Sequence, residues 1–283
     1  MSEQLPGWLD QKVKDSEEKI KARQKAEVIQ LPLWQTVERA IPNHIARSSL
    51  FAPIARGRRK FHDKEALVSR ADVKIYFTGK QLDEADCDVW MQLLHIANQY
   101  PLGEPVPINR AEALRSIGRN TGNNDYLWLH ESIRRLHLAS IEIETSKYQI
   151  RKGPRVEALH MIDGFSYEPE DETYYLRMDK RWILLFSNAE FALVDWEKRF
   201  LIQKRVDLAK RLQRLVATSA DKVQRYALEY LKEVCCHEGR MRDFRVALSD
   251  ALGELERLHI IKSPKIETSS QGKEQACWKR IKD

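Results

Sequence analysis

The sequence predicts an α+β fold in which a helix–turn–helix followed by a strand hairpin occurs twice in tandem, behind a charged N-terminal arm. Three observations predict it. Arg135-Leu136-His137-Leu138, followed by Ile143-Glu144-Thr145, is echoed by Arg257-Leu258-His259-Ile260, followed one residue further on by Ile266-Glu267-Thr268. Each string closes a helix-periodic stretch and opens an alternating one. Each is also preceded by two helical segments across a tight turn, residues 110–117 and 123–138 around GRNTG, and residues 226–237 and 240–258 around Glu238-Gly239. Helix, turn, helix and hairpin is the plan of a winged helix–turn–helix, and duplication accounts for the echo better than a chance match of short strings.

Composition bounds the rest. The 283 residues are 42% hydrophobic and 32% charged, enough to build one or two ordinary cores. Lys and Arg number 48 against 42 Asp and Glu, a formal +6. That excess favours polyanionic partners, although an ordinary basic enzyme carries the same balance. No apolar run approaches the ~18 residues of a membrane span, and the N-terminus lacks a signal peptide's apolar segment, so the expectation is a cytoplasmic protein without membrane contact. Cys87, Cys235, Cys236 and Cys277 form no CxxC pair. Adjacent Cys235 and Cys236 point to different faces of the helix they are expected to occupy, and neither disulfides nor a zinc site is expected.

Residues 10–28 are almost wholly polar helix formers with few apolar anchors, which predicts a mobile, partly helical arm over residues 1–44. Within it VIQLPLWQ places Leu31, Leu33 and Trp34 ahead of any region that reads as a packed domain. In SSLFAPIARGRRKF, Arg56, Arg58, Arg59 and Lys60 bracket a glycine, a pattern that suits phosphate contact or a solvated basic loop. Residues 73–79 alternate like a strand. Residues 83–99 form an amphipathic helix with Val89, Trp90, Leu93, Leu94 and Ala97 on its inner side.

In the helix over 123–138, placing Tyr126, Leu129, Ile133 and Leu136 inward leaves Asn124, Trp128, Glu131, Arg134 and Arg135 outward, a mixed face for weak DNA contact or for another protomer. His130 and His137 read as core histidines. The stretch GPRVEALHMIDGFSYEPEDE reads as a hairpin excursion, and residues 174–178 and 182–186 as strands. FALVDWEKRF then continues into the helix KRVDLAKRLQRLVATS. There Lys198, Arg199, Lys204, Arg205, Lys210, Arg211 and Arg214 face only Glu197 and Asp207, so the helix either lies along a nucleic-acid backbone or solvates a connector. The boundary is expected near residue 190. This gives a first winged-helix unit over 45–189, for dimerisation and backbone contacts, and a second over 190–283, for sequence-specific binding.

The last helix yields to facial analysis. Phe244, Leu248, Ala251, Leu252, Leu255 and Leu258 recur at helical spacing and pack inward, leaving Arg242, Val246, Ser249 and Gly253 outward, flanked by Arg245. A recognition helix enters the major groove N-terminus first. Arg240, Arg242 and Arg245 then meet phosphates or guanine edges, while Ser249 and Gly253 allow close approach. The plain alternative is an exposed basic helix start, with Asp243 there to suit the helix dipole.

No catalytic residue, cofactor or metal is expected. Gly79-Lys80 lacks the upstream glycine and following hydroxyl of a phosphate loop. A metal-dependent nickase needs paired histidines and a nucleophilic tyrosine. His160-Met161-Ile162 supplies one histidine, and Tyr174 and Tyr175 point to opposite faces of one strand.

QLPLW, IPNHIARSSLF, VKIYFTGKQLDEADCDVWMQLLHIANQYPLGEPVPIN, RRLHLASIEIE and FALVDWEKR together resemble the TrfA-type initiators of broad-host-range plasmid replication, over residues 28–283. The resemblance implies a non-enzymatic protein of two winged-helix domains. Such a protein binds double-stranded plasmid origin DNA at repeated sites (iterons) and helps open an adjacent A+T-rich segment, with single-stranded A+T-rich DNA as a further partner. It recruits the bacterial sliding clamp, the host initiator and the replicative helicase. It binds as a monomer and forms a less active homodimer. In the clamp-binding peptide of the family, Gln30-Leu31-Pro32-Leu33-Trp34 occupies the matching positions, with Pro32 and Trp34 departing from the usual residues; Gln4 to Trp8 (QLPGW) is a weaker look-alike. The alternative for Leu31, Leu33 and Trp34 is a hydrophobic anchor docked back on the first domain. For the whole chain the alternatives are a dimeric winged-helix transcriptional repressor without replication partners, and a protein-binding adaptor.

Overall fold

The structure, a computed structural model, describes residues 29–54, 59–69, 73–145, 151–152, 155–156, 158–170, 172–186, 190–203 and 206–281. The charged stretch 10–28, the look-alike at Gln4 to Trp8, and Arg56, Arg58, Lys204 and Arg205 lie outside the described residues.

The folded part begins earlier than expected. Strand β1 (Glu38–Pro42) pairs antiparallel with β13 (Phe191–Asp195), from Glu38 opposite Asp195 to Pro42 opposite Phe191, and Ala40 and Ile41 are fully buried. Residues 38–44 are therefore part of the packed fold and not of an arm. Pro42 leads into the short helix α1 (Asn43–Arg47), after which β2 (Phe51–Ala52) lies parallel to β5 (Leu82–Asp83). Between them run β3 (Phe61–Ala66) and β4 (Val73–Lys80), where alternation turns Val73, Ile75 and Phe77 inward. At Gly79 φ is +145°, and a Cβ would stand 3.3 Å from Ala139 Cα, so glycine lets β4 run close to the chain entering the next strand.

Helix α2 (Glu84–Ala97) starts at a reciprocal cap: Asp83 accepts from the Asp86 amide at 2.8 Å, and Asp86 from the Asp83 amide at 3.2 Å. Then follow β6 (Val106–Asn109), α3 (Arg110–Ser116), α4 (Asn123–Leu138) and β7 (Ser140–Thr145). Beyond β7 the hairpin of β8 (Arg151–Lys152) and β9 (Arg155–Val156) returns through β10 (Leu159–His160), which pairs with β7. Strands β11 (Gly164–Glu168) and β12 (Thr173–Arg177) complete a three-stranded sheet with β6. Residues 182–186, expected as a strand, form helix α5 (Trp182–Phe186). Trp182, Leu185 and Phe186 are buried at helical spacing, and the Asp179 carbonyl accepts from the Trp182 amide at 3.1 Å to start the turn. A five-residue apolar run is too short for its period to separate strand from helix.

The expected continuous helix after β13 is two, α6 (Trp196–Leu201) and α7 (Asp207–Ala217). They are followed by β14 (Val223–Ala227), α8 (Leu228–Val234), α9 (Met241–Arg257), β15 (Ile261–Thr268) and β16 (Glu274–Arg280), in a sheet ordered β14-β16-β15. Tyr226 thus belongs to a strand, and Cys235 and Cys236 lie past the end of α8 and not on two faces of it. All four cysteines are free. The order helix–strand–helix–helix–strand occurs twice, as α2-β6-α3-α4-β7 and as α7-β14-α8-α9-β15.

Apolar side chains separate into two clusters, one from Leu31 to Trp196 and one from Ile202 to Trp278. Strand β13 gives Ala192 and Val194 to the first, so by its packing the first unit extends beyond residue 190. Helix α7 sits between the clusters with two buried faces. Leu208, Ala209, Leu212, Leu215 and Val216 enter the second core, while Arg211 and Arg214 enter sockets in the first half.

Candidate nucleic-acid interface

Helix α9 is fixed by its inner face. Phe244, Leu248, Ala251, Leu252, Leu255 and Leu258 are all buried, which leaves Arg242, Val246, Ser249 and Gly253 on an exposed strip. The Arg240 and Arg242 side chains are 77% and 78% exposed, and Asp243 stands between them, 3.1 Å from Arg240 and 3.8 Å from Arg242. Arg245 is half-exposed and ion-paired to Glu274 of β16, which ties the helix to its hairpin. Such surface pairs are worth about 0–1 kcal/mol, so phosphate can displace them. A Cβ added at Gly253 would meet nothing within 4 Å. The glycine is therefore not required by the fold, although it weakens a helix interior.

Beside α9 the β15–β16 hairpin exposes Lys262, Lys265 and Lys273, with Gly272 at φ +77° in the turn. Sequence reasoning passed over these lysines. The turn signal SSQGK between two alternating stretches was their trace in the sequence.

The outer face of α4 differs. Asn124 and Arg134 are exposed as expected, and Leu127 and Leu138 join them. Arg135 and Trp128, expected outward, are engaged. Arg135 Nη2 donates to Asp86 Oδ1 at 2.7 Å, and the Arg119 guanidinium lies 3.4 Å over the Trp128 ring. His130 meets the Tyr174 hydroxyl at 3.1 Å and His137 the Ile162 carbonyl oxygen at 3.1 Å. Among the described residues no group of three or more His, Cys, Asp or Glu is placed to hold a metal ion, and no helix is long and apolar enough to cross a membrane.

Several expected phosphate contacts lie inside the protein. Arg211 is fully buried and donates to the carbonyl oxygens of Ala46 at 2.7 Å and Ser48 at 3.1 Å. Burial, and then neighbouring Arg214, lower its pKa. Its assignment to DNA is corrected, because no surface is left for a phosphate. Arg199 and Arg214 are equally buried and ion-paired with Glu84 and Asp88 of α2, with Lys210 2.6 Å from Asp88. The cationic helix is therefore not a solvated face; Lys210 and Arg214 are matched by the acids of α2, and Arg211 is held by backbone carbonyls. Arg59 is also drawn inward, paired with Asp83 and Asp86. Lys60 reaches Glu238. Of the other expected contacts, Arg58, Lys204 and Arg205 lie outside the described residues.

The segment before β1 is docked on the first unit. Leu31 is 2% exposed within the first core, and Gln30 Nε2 donates to the Asn98 carbonyl oxygen at 2.8 Å. The Trp34 indole donates to His95 Nδ1 at 2.9 Å and stacks on Phe186 with centroids 6.0 Å apart. Leu33 is 75% exposed. In this arrangement only Leu33 of the expected peptide projects freely, which is the hydrophobic-anchor alternative for Leu31 and Trp34.

The family model described as TrfA protein matches residues 9–269. The chain belongs to the TrfA family. A curated relative, the plasmid replication initiator protein TrfA of Escherichia coli, is 26% identical over 193 residues, 66% of this chain. The chain spans about half of that relative, 49% of its length. Among solved structures, a crystal structure of domains 2 and 3 of RctB matches with a TM-score of 0.57 at 14% identity, covering 86% of this chain and 99% of that one. A second RctB structure of domains 2–3 gives 0.52 at 13% identity, covering 82% and 95%. At these identities the likeness is one of fold, a mixed α+β arrangement. The TrfA family match reaches from the charged stretch ahead of β1 through α9 into the last hairpin.

Proposed function

We propose that this TrfA-family chain is a non-enzymatic plasmid replication initiator built of two winged-helix units, with α9 as the helix that reads duplex origin DNA. The observation that carries the reading is the outer strip of α9: arginines at its leading end, then Ser249 and Gly253, on a helix whose other face is buried. Arg240 and Arg242 reach base edges or phosphates, Arg245 positions the hairpin, and Lys273 at the hairpin turn meets backbone. Asn124 and Arg134 of α4 add contacts from the first unit, together with Arg58, Lys204 and Arg205. The iterons are bound as direct repeats. Binding and bending free energy opens the adjacent A+T-rich segment, since no nucleotide site is proposed.

Replacing Arg242 by Ala tests it. Specific binding to a duplex from the plasmid origin is expected to fall about 10-fold or more, with non-specific binding little changed. Equal losses on both would reject a base-reading role.

The Gln30 to Trp34 segment engages the sliding clamp after leaving its place on the first unit, and the host initiator and replicative helicase are recruited to the opened origin. Burial of Leu31 favours the second reading, a dimeric winged-helix repressor without replication partners. A clamp pull-down with Leu33 and Trp34 changed to Ala separates the two: capture by the unaltered chain, lost in the variant, supports the initiator.

A further inference from the structure

The sheet β14-β16-β15 packs one face on the second core through Ala276, Trp278 and Ile261. Its other face carries cations. Register sets Arg225, Cys277 and Lys265 side by side across the three strands, and Val223, Lys279 and Lys262 in the next row. Arg225, Lys262, Lys265 and Lys279 are all exposed. Lys265 is paired with Glu267 at 2.5 Å, whereas Arg225, Lys262 and Lys279 have no ion-pair partner among the described residues. Lys262 and Lys265 are three apart, which on a regular strand points them to opposite faces. Between them β15 bulges: Lys262 stands opposite Lys279 and Lys265 opposite Cys277, three steps against two. Ser263 takes φ +52° in the bulge, a left-handed backbone uncommon for serine, and its amide donates to Glu256 Oε1 of α9 at 2.8 Å. The bulge thus brings both lysines to the outer face. It also sets Lys262 directly across from Lys279, where like charges destabilise a sheet, so stability of the fold does not account for the arrangement.

We infer that the outer face of β14-β16-β15 is a separate phosphate-binding surface, which holds the backbone of duplex flanking the segment read by α9. This rests on α9 being the reading helix. Glu274, on the inner side of the same hairpin, is ion-paired with Arg245 in the leading part of α9, so the turn with Lys273 stands at the edge of that helix. From Lys273 to Lys279 the strand runs about 20 Å, at ~3.4 Å per residue, and the cationic rows follow it. One DNA strand passes about six phosphates over that length. The rows offer no aromatic ring for stacking, and the Gln275 amide is engaged by Glu267 at 3.1 Å, so the face suits backbone charge and not base edges. The outer strip of α9 and this face both point away from the same core. A duplex that touches both therefore bends around the second unit, which gives the bending free energy a structural source.

Binding of the full chain to duplexes of one origin repeat, bare or extended by about two helical turns (~20 bp) of unrelated sequence, tests the surface. The unaltered chain is expected to hold the extended duplex about 10-fold more tightly, with a steeper salt dependence, about 0.9 in log–log slope for each further phosphate neutralised. In the triple variant Arg225→Gln, Lys262→Gln, Lys279→Gln the gain and the added slope disappear, while the bare repeat is bound as before. Retained binding of the bare repeat shows that the variant is folded. Lys262→Gln alone relieves a like-charge pair; it is expected to melt no lower than the unaltered chain and to lose part of the gain. No gain from the flank, a gain that survives the triple variant, or equal losses on both duplexes in a variant that melts normally would each overturn the inference. Loss of polyglutamate binding with the flank gain intact would overturn it in favour of an acidic protein partner. Specific binding of the bare repeat without any flank effect sinks this surface alone. A flank gain lost in the triple variant, without preference for origin sequence, sinks the reading of α9 alone, and a chain that binds neither duplex sinks both.

Discussion

Arg199 of α6 donates through Nε to Asp88 of α2, and the two side chains are 0% and 6% exposed, 111 residues apart in sequence. With Glu84, Lys210 and Arg214 they make an ionic cluster that sets the second unit against the first. Desolvation offsets much of the Coulombic gain in such clusters, so its effect is to select one arrangement of the two units more than to stabilise it. Breaking it from one side is another matter. Asp88→Ala leaves Arg199 buried with half its compensation and is expected to cost about 3–5 kcal/mol in chemical denaturation.

The same carboxylate gives an acid limb to stability. Burial would raise the pKa of Asp88, but Arg199 and then Lys210 outweigh it and hold the group below its ordinary 3.8. A depressed carboxylate contributes stability above its unfolded value and loses it as pH falls through the folded one. Loss of the cluster is therefore expected below pH 3.8 in a thermal-melt series, and Asp88→Asn flattens that limb.

His95 acts on the docked segment at milder pH. Burial, and then the Arg39 guanidinium, lower its pKa from 6.5 to about 4, which keeps Nδ1 free to accept from Trp34. The unfolded histidine takes a proton at a higher pH than the folded one, so this contribution is whole above 6.5 and declines as pH falls toward 4. Amide exchange over residues 29–37, corrected for intrinsic rate, is expected to show weaker protection at about pH 5 than at about pH 7. Equal protection would reject His95 as the group that responds.

Leu31 and Leu33 separate packing from partner binding. Leu31→Ala empties a core position and is expected to cost about 2–5 kcal/mol. Leu33→Ala, at an exposed site, stays within about 0.5 kcal/mol. If the segment engages the clamp, Leu33→Ala abolishes capture without lowering the melting temperature.

Gly253→Ala sets stability against binding. Open space around the position means the alanine fits, and the helix gains about 0.5–1 kcal/mol. If a duplex lies against α9 there, specific affinity falls in the same variant. A stabilised variant with unchanged affinity would move the duplex off this turn.

Local order of side chains determined much of this protein. The inner face of α9, the start and end of α4, the cap before α2 and the twofold helix–strand pattern follow from periods and turn residues a few positions apart, and physical chemistry acts on them at that range. Tertiary structure alone decided what the cations do. Arg199, Arg211 and Arg214 look solvated because their neighbours in sequence are cations, whereas their partners, Glu84 and Asp88 for Arg199 and Arg214 and the carbonyls of Ala46 and Ser48 for Arg211, stand more than a hundred residues upstream. Strand β1 found its partner β13 at similar range, and with it Leu31 and Trp34 found a groove that turned an apparent arm into part of a core. Charge and apolarity are readable from residue types, but which surface satisfies them is set by chain segments that only folding brings together.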